Sequence, residues 1–232
     1  MTHALHGMLG SVCDWEGFDV ESVDLWAAFD QGDSPDLSDW ARGFNQQANA
    51  EAGGLLTGYS MGGRLALHAL LESSSRWSAG LVISTHPGLL DEEQKKVRWQ
   101  GDFQWASQAR ELPWTDFLAK WNQQAVLRSG AGSKGQMGLQ SRRESIARAF
   151  ECWSLGRQQD LRPALAACHT PVLWITGERD EKFTALATEV VAGNDNFEQV
   201  IIAGAGHRLL FENEAVLKKL KMVIGDFQKR IL

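Results

Sequence analysis

Short apolar runs alternate with longer segments of helical periodicity along most of the chain. Each run is three to six residues long, and most are bounded by glycine, proline or polar turn residues. Alternation of this kind predicts βα units, in which helices connect the strands of a parallel sheet. The predicted strands are His3–Leu5, Ser22–Trp26, Gly54–Tyr59, Gly80–Ser84, Val172–Thr176 and Gln199–Ala203.

Residues 87–160 break this alternation. Their apolar positions predict several helices, and one loop among them, Ser129–Gly138, holds four glycines without apolar periodicity. We therefore predict a single α/β domain over residues 1–232, with a helical cap inserted at residues 87–160. Apolar helix faces are also predicted within Leu37–Ala48 and Val216–Phe227.

Charge is distributed unevenly along the 232 residues, whose formal net charge is −6. An acidic chain argues against general nucleic-acid binding, which depends on neutralising phosphates with a basic surface. Residues 1–86 hold eleven acidic and three basic side chains, whereas residues 87–160 hold nine and eleven, with five of the ten tryptophans. This basic segment is either a helical layer with solvated charges or a cover that supplies cations and flat apolar surface to an anionic ligand.

The sequence predicts neither a membrane-spanning nor a secreted protein. No apolar run approaches the roughly 18 residues of a spanning helix, and the opening MTHALHG does not resemble a secretory leader. Cys13, Cys152 and Cys168 are odd in number and widely spaced, so we expect reduced thiols in a cytoplasmic protein. Metal-ligand spacings and phosphate-binding glycine motifs are absent, so neither a metal nor a cofactor is expected.

The clearest chemical motif follows the strand predicted at Gly54–Tyr59. Residues 58–62 read GYSMG, which has the form G-x-S-x-G and leads into a helical run. Strand, motif and helix in this order predict a nucleophile elbow, a strained turn that exposes the serine at the carboxyl end of a sheet. Gly58 and Gly62 are needed because side chains there would collide with neighbouring backbone. Ser60 is therefore the candidate catalytic serine.

A catalytic serine needs a histidine as its base and a carboxylate that orients the histidine. With this elbow, the acid and then the histidine come after later strands. Asp180 and His207 follow the last two predicted strands in that order, and Glu178 is the alternative acid. The other histidines fit less well by position: His68 lies within a helix, His169 precedes a strand, and His86 comes before the acid.

The loop after the first strand, His6-Gly7-Met8, predicts one half of an oxyanion hole. In the elbow fold this loop supplies one backbone N–H, and the residue after the serine supplies the other. The two donors would be the N–H groups of Met8 and Met61. We assign His6 a structural hydrogen bond rather than the role of base.

The GYSMG motif, the segments that hold Asp180 and His207 and the loop after the first strand together resemble one family of α/β hydrolases. This family is the 2-succinyl-6-hydroxy-2,4-cyclohexadiene-1-carboxylate synthases of menaquinone biosynthesis. The elbow and the final GxGH are general to the superfamily, whereas Arg64, the RWQ segment and GERDEKF are more specific. The matching stretches cover nearly the whole chain: His6–Gly10 with Asp14-Trp15, Gly58–Leu67, Arg98–Ala106, Phe117–Gln124, Gly177–Leu186 and Gly204–His207.

The resemblance implies an α/β-hydrolase fold and a lyase that eliminates pyruvate from 2-succinyl-5-enolpyruvyl-6-hydroxy-3-cyclohexene-1-carboxylate. It implies that Ser60 is the base, activated by His207 and oriented by Asp180, and that the oxyanion hole holds charge on the succinyl carbonyl. Arg64 and Arg98 would bind substrate carboxylates, a task that suits the guanidinium group. The pocket would also be lined by Tyr59, Trp121 and Gln124.

The binding residues also have plainer interpretations. Arg64 could be a surface charge on its helix, Arg98 could pair with Asp102 by helical spacing, and Trp121 could belong to the core of the cap.

The sequence departs from the family pattern in several places. The two strands that usually precede the HG loop are missing, so we expect about six strands with Ser22–Trp26 at an edge, where an oligomer could form. The loop after this strand differs from the usual one. Asn122 stands where an aromatic residue is common, and Ala125 where proline is usual. A third cap arginine is expected, and the candidates are Arg142 and Arg143.

Two other functions stay open from the sequence. One is a carboxylesterase or carbon–carbon bond hydrolase that uses the same three residues through an acyl-enzyme. The other is a non-catalytic binding protein with this fold, which the shortened sheet suggests. For the lyase, the expected partner is a small polycarboxylate, with neither nucleic acid nor membrane insertion.

Overall fold

Six strands form one sheet in the computed structural model, which describes residues 1–30, 32–48 and 53–231. Every neighbouring pair is parallel, and the strand order is β2-β1-β3-β4-β5-β6. The predicted mostly parallel sheet of about six strands is confirmed. The strands are β1 (Thr2–Leu5), β2 (Glu21–Val23), β3 (Gly54–Tyr59), β4 (Trp77–Ile83), β5 (Val172–Gly177) and β6 (Phe197–Ile202).

The strand order creates a crevice at the carboxyl ends of the central strands. The chain runs outward from β1 to β2 and then returns to the other side of β1 for β3. Segments that follow β1 and β3 therefore leave the sheet in opposite directions, which is where α/β sheets bind ligands. Ser60 follows β3 and the His6–Gly10 loop follows β1, so both lie at this point.

Helices cover both faces of the sheet. One apolar core contains side chains of α1 (Leu37–Gln47), α2 (Met61–Glu72), α6 (Arg162–Ala166) and α7 (Glu181–Ala192), and the other contains those of α8 (Glu214–Ile231). β3 and β5 are buried along their whole length, as central strands covered on two faces should be. Among the described residues, no helix has the length and apolar character needed to cross a membrane.

Residues 87–160, termed the helical insertion, lie between β4 and β5. They form α3 (Glu92–Glu111), α4 (Trp114–Asn122) and α5 (Arg143–Cys152), and a 3₁₀ helix (Gln136–Arg142) takes in the end of the predicted loop. The insertion packs on the sheet domain through Trp153, whose buried ring contacts Phe29 and Trp40 and whose indole N–H donates to Pro35. Its apolar side chains join the core of one sheet face.

The strand predicted at Ser22–Trp26 is wrong in its second half, where a 3₁₀ helix over Leu25–Phe29 begins instead. Side chains take the backbone N–H groups that a longer strand would use for pairing in the sheet. Three hydrogen bonds form there: the Trp26 N–H donates to Asp24, the Leu25 N–H donates to His6 Nε2, and the Trp26 indole N–H donates to the Gly10 carbonyl. The shortened β2 still forms one edge of the sheet.

Candidate active site

The turn after β3 holds Ser60 in a left-handed conformation, with φ 53° and ψ −109°. Such a conformation is strained for a residue with a side chain, so the surrounding backbone must hold it in place. A Cβ on Gly58 would collide with the carbonyl of Gly62, and a Cβ on Gly62 would collide with the carbonyl groups of Leu5 and His6. The tight packing explains both glycines and brings Ser60 against the loop after β1.

Ser60, His207 and Asp180 form a continuous hydrogen-bonded relay. Ser60 Oγ lies 3.1 Å from His207 Nε2, and His207 Nδ1 lies 2.7 Å from Asp180 Oδ2. Because a carboxylate only accepts hydrogen bonds, Nδ1 carries the proton, and Nε2 is free to accept from the serine hydroxyl. The histidine and aspartate side chains are almost fully buried, whereas Ser60 is half-buried. This arrangement can remove a proton from the hydroxyl of Ser60.

The alternative acid and bases lie elsewhere. Glu178 is exposed and accepts the Gly204 N–H, 2.8 Å away, while the acid beside His207 is Asp180. His6 is fully buried, and its Nε2 accepts the Leu25 N–H at 3.2 Å. Burial lowers the pKa of His6 to about 4, so its ring stays neutral in a structural hydrogen bond.

Three further histidines are outside the relay. His86 Nδ1 accepts the Gly88 N–H at 3.1 Å, and burial together with nearby cations, Lys182 first, lowers the pKa of His86 to about 3. Burial also lowers the pKa of His68 to about 4, and His169 is exposed. Neutral His86 therefore contributes a polar wall to the site rather than a charge.

The two residues to which the sequence assigns an oxyanion hole, Met8 and Met61, line the same cavity as Ser60. Met61 is the first residue of α2, where a backbone N–H has no partner within the helix. No backbone carbonyl in the described ranges accepts the Met8 N–H. Met8 and Met61 both line the cavity into which Ser60 opens. Two unengaged donors next to a half-buried serine can stabilise a negatively charged oxygen.

This main cavity has a volume of about 420 Å³ and lies between the sheet domain and the helical insertion. Five aromatic side chains contribute to its wall: Trp105, Trp121, Phe150, Trp153 and Phe183. Its charged lining consists of Arg64, Arg98, Lys182 and Asp102. A cavity of this size and composition can hold a small molecule that carries several negative charges.

Arg64 and Arg98 both line the main cavity but differ in their surroundings. Arg64 is buried, with Nη1 donating to Gln158 Oε1 at 2.9 Å and Nη2 donating to the Trp153 carbonyl. Burial and the neighbouring Arg98 lower the pKa of Arg64 to about 9. Arg98 is half-exposed, and its Nε lies 2.9 Å from both carboxylate oxygens of Asp102. The helical pairing suggested by the sequence therefore forms, and it coexists with a position in the cavity wall.

Trp121 and Gln124 also line the main cavity, whereas Tyr59 does not. The Tyr59 ring packs against His207 and Phe211, with ring centres 5.9 Å apart in both cases. Tyr59 lines a second cavity of about 40 Å³, termed the annex. The annex adjoins the main cavity, because both are lined by Met8, Ser60, Trp121 and Leu127.

Arg142 and Arg143, the candidates for a third substrate-binding arginine, are both outside the two cavities. Arg142 forms ion pairs with Asp24 and Asp30. Arg143 donates to the carbonyl groups of Arg110 and Leu112 at 3.0 Å. Arg142 thus joins the insertion to the sheet domain, and Arg143 joins two segments of the insertion, so neither is placed to bind a carboxylate in either cavity.

Lys182 and Phe183 line the main cavity without having been singled out in the sequence. The Phe183 ring lies 4.4 Å from the His207 ring, and Lys182 adds a cation to the wall. Both belong to the GERDEKF segment. Their position directly after Asp180, at the start of α7, was the available signal.

Comparisons of this sequence with known proteins and protein families agree with this architecture. The pattern of the alpha/beta hydrolase family matches residues 5–219. Proteins named 2-succinyl-6-hydroxy-2,4-cyclohexadiene-1-carboxylate synthase from Salmonella newport and Salmonella enteritidis are 37% identical over 164 residues. The aligned part is 69% of this chain but only 63% of the length of these curated relatives.

Solved structures show the same fold. MenH from S. aureus has a TM-score of 0.87 at 22% identity, with 99% of this chain and 93% of that chain covered. A thermophilic esterase from Thermogutta terrifontis has a TM-score of 0.70 at 16% identity, with coverages of 99% and 89%. The resemblance stated from the sequence is confirmed, and the chain belongs to the α/β hydrolase family.

Proposed function

We propose that this protein is a pyruvate-eliminating carbon–oxygen lyase of menaquinone biosynthesis, with 2-succinyl-5-enolpyruvyl-6-hydroxy-3-cyclohexene-1-carboxylate as its substrate. One observation carries the proposal: the Ser60–His207–Asp180 relay opens into a cavity whose lining has three cations and one carboxylate. Such a cavity favours a polycarboxylate over a neutral ester. The name of the 37% identical relatives supports the same activity.

The relay would act as a base. His207 Nε2 accepts the hydroxyl proton of Ser60, and the serine oxygen removes a ring proton beside the succinyl carbonyl. Electrons then move through the ring as the carbon–oxygen bond to the enolpyruvyl group breaks. That group leaves as enolpyruvate, which becomes pyruvate on protonation. Asp180 would hold the tautomer of His207 in which Nε2 is free to accept.

The donors beside the serine would stabilise the charge that this step creates. As the ring proton leaves, negative charge develops on the succinyl carbonyl oxygen. The N–H groups of Met8 and Met61 are proposed to donate to that oxygen. Because both groups are fixed in the backbone, they would need no rearrangement during the reaction.

The basic wall would bind the carboxylates. Arg64 and Arg98 are proposed to hold two of them, and Lys182 adds a third positive charge to the same wall. Trp121 and Gln124 would form the part of the wall that contacts the ring. For Arg98, substrate would share or replace the carboxylate of Asp102, its present partner.

We propose further that residues 1–232 act as one domain, with residues 87–160 as its cap. The cap would supply Arg98, Trp121 and Gln124 to a site whose reactive groups come from the sheet domain. A cytoplasmic location is proposed on the free thiols of the three cysteines and on the substrate class. An oligomer formed through β2, an edge strand, is a separate proposal that sedimentation would test.

The test is the release of pyruvate from the enolpyruvyl substrate, compared with hydrolysis of a simple ester by the same preparation. We expect pyruvate release to have the larger kcat/KM and to depend on Ser60. Ester hydrolysis far faster than pyruvate release would overturn the proposal. Arg230→Gln is a suitable control, because it removes an exposed arginine paired with Glu198 and outside both cavities.

A second candidate function is hydrolysis of an ester or carbon–carbon bond through an acyl-enzyme. The observation that favours it is the bonding of the arginines, since Arg64 and Arg98 both already donate to protein groups. A hydrolase would show a burst of product equal to the enzyme concentration and would tolerate Arg64→Ala. A lyase would show neither behaviour.

A further inference from the structure

Arg208, the residue after His207, is a buried cation that has no anionic partner among the residues that the structure describes. Its side chain is about 5% exposed. Nη2 donates to Asn122 Oδ1, and within the part of the chain that the structure describes no carboxylate lies within 4 Å of the guanidinium. Burial lowers the pKa of Arg208. A buried charge is costly unless it is paired, so its persistence points to an anion that is bound during function.

The guanidinium lines the annex, which opens beside Ser60. The annex volume of about 40 Å³ has room for two or three water molecules or for one carboxylate group. Since the annex and the main cavity share four lining residues, a ligand in the main cavity could extend one arm toward Arg208.

The other charged group in the annex lining, Asp14, is already hydrogen-bonded. Its Oδ2 accepts the Ser11 N–H at 3.2 Å, and its Oδ1 accepts the Ser133 hydroxyl at 2.5 Å. The nearest polar ligands of Asp14 thus come from the loop after β1 and from the helical insertion. The carboxylate of Asp14 is therefore hydrogen-bonded to two uncharged donors, and among the described residues it forms no ion pair with Arg208.

The guanidinium is also held in place. Asn122 accepts from Arg208 and donates through Nδ2 to Gln136 Oε1 at 3.0 Å, so the amide is fixed at both ends. Asn122 is one of the positions where the chain departs from the family pattern. A Phe or Trp side chain there would offer no oxygen to accept this hydrogen bond.

We propose that the annex is a carboxylate-binding subsite in which Arg208 binds one carboxylate of the ligand whose remainder occupies the main cavity. This inference rests on the proposed function for the identity of the full substrate. It adds a cation in the annex to the two arginines of the main cavity. A guanidinium with free N–H groups can bind a carboxylate through two parallel hydrogen bonds.

The test measures succinate binding by calorimetry, with succinamide as the uncharged analogue, alongside the kinetics of pyruvate release. In Arg208→Gln, succinate affinity should fall about tenfold or more, because charge-assisted hydrogen bonds are lost. The KM for pyruvate release should rise about tenfold or more, with a much smaller change in kcat. Arg208→Lys should restore part of both losses, since lysine keeps the positive charge but cannot form the two parallel hydrogen bonds of a guanidinium.

A second variant covers the case in which Arg208→Gln fails to fold. Asn122→Asp leaves the guanidinium in place but gives it a carboxylate partner, so succinate affinity should again fall about tenfold. The matched control is Arg128→Gln, an exposed arginine next to cavity-lining Leu127 that lines neither cavity. Its succinate affinity should equal that of the wild type.

Failure of this inference differs from failure of the proposed function. Wild-type succinate affinity in Arg208→Gln, or no succinate affinity in the wild type, overturns the subsite. A wild type that releases no pyruvate, with succinate affinity still lost in Arg208→Gln, overturns the lyase and leaves the subsite standing.

Discussion

The sheet domain and the helical insertion hold their functional side chains in different ways. Ser60, Asp180 and His207 each follow a strand of the sheet and meet in one relay with distances of 3.1 and 2.7 Å. Arg98 and Trp121 lie on helices of the insertion, and the nearest charged partner of Arg98 comes from its own helix. The ends of strands therefore position the three relay residues, whereas the packing of helices positions Arg98 and Trp121.

This difference separates reactivity from selectivity. Backbone geometry positions the relay, so in the proposed mechanism any substrate that reaches Ser60 would meet the same base and the same N–H donors. In the proposed function, the arginines of the cavity, Arg98 of the insertion and Arg64 of α2, would select the substrate by exchanging their present protein partners for ligand. Changes in the relay should therefore affect turnover, and changes in the carboxylate-binding arginines or in the packing of the insertion should affect KM or stability.

The largest effect is expected from Ser60→Ala, which removes the proposed base from the sheet side. Pyruvate release should fall by about 10⁴-fold, because the relay ends without an oxygen that can accept the ring proton. Steady-state assays with a lactate dehydrogenase couple measure this. Ser107→Ala, at a partly exposed serine on α3 outside both cavities, is the control and should keep full activity.

Asp180→Asn should lower kcat by about 10³-fold or more, because an amide no longer holds the required tautomer of His207. Glu178→Gln is the matched control, since this acid is exposed and, among the described residues, accepts a hydrogen bond from the Gly204 N–H alone. Equal losses in the two variants would show that Asp180 is not the orienting acid. The circular dichroism spectrum of each variant checks that the fold is retained.

On the insertion side, Trp153→Ala should reduce the free energy of unfolding by about 3–5 kcal/mol, the usual cost of deleting a buried large aromatic side chain. Trp153 is fully buried against Phe29 and Trp40, whereas Trp99, on the same insertion, is 45% exposed. Trp99→Ala should therefore change stability far less. Similar losses in urea denaturation would contradict the proposed anchoring.

Asp14 joins the two regions, because it accepts from Ser133 of the insertion and Ser11 of the sheet domain. Burial raises its pKa from 3.8 to about 6, so the folded state binds this proton more tightly than the unfolded state. The carboxyl therefore costs no stability below about pH 4 and destabilises the fold progressively as pH rises to about 6.

In Asp14→Asn this titration disappears. The stability of the variant relative to the wild type should rise by about 3 kcal/mol between pH 4 and pH 7. Parallel urea denaturation series at several pH values measure the difference. A difference that stays constant over this range would show that Asp14 is not buried in the way described.

The smallest effect is expected from Arg98→Gln, which should raise KM for the polycarboxylate about tenfold while kcat changes little. Arg98 is half-exposed, so water screens part of its interaction. Asp102→Asn removes its present partner and should lower KM or leave it unchanged. A rise in KM for both variants would mean that the ion pair itself, rather than the free guanidinium, shapes the site.

The chain order of motifs was sufficient to predict the relay, because parallel strands bring all their carboxyl ends to one edge. Gly54–Tyr59 was predicted with its observed ends, and Ser60, Asp180 and His207 are adjacent in the structure. Their catalytic role stays a prediction. The other strands were located within about three residues of their ends, apart from the 3₁₀ helix after β2.

The insertion was less predictable because its contacts depend on long-range packing. Helical spacing suggested the pair of Arg98 and Asp102, but nothing local indicated that Arg142 would pair with Asp24 and Asp30 across the domain. Arg208 was missed for the same reason. Its burial and its bond to Asn122 join residues 86 positions apart, which no local pattern encodes.

The ratio of pyruvate release to ester hydrolysis, both as kcat/KM, tests the division between the relay and the carboxylate-binding arginines most directly. The Arg64→Gln/Arg98→Gln double variant should lose this ratio by about 100-fold, because two carboxylate contacts are removed while the relay stays intact. Its rate of ester hydrolysis should match that of the wild type. An unchanged ratio, or an equal fall in both reactions, would contradict the account.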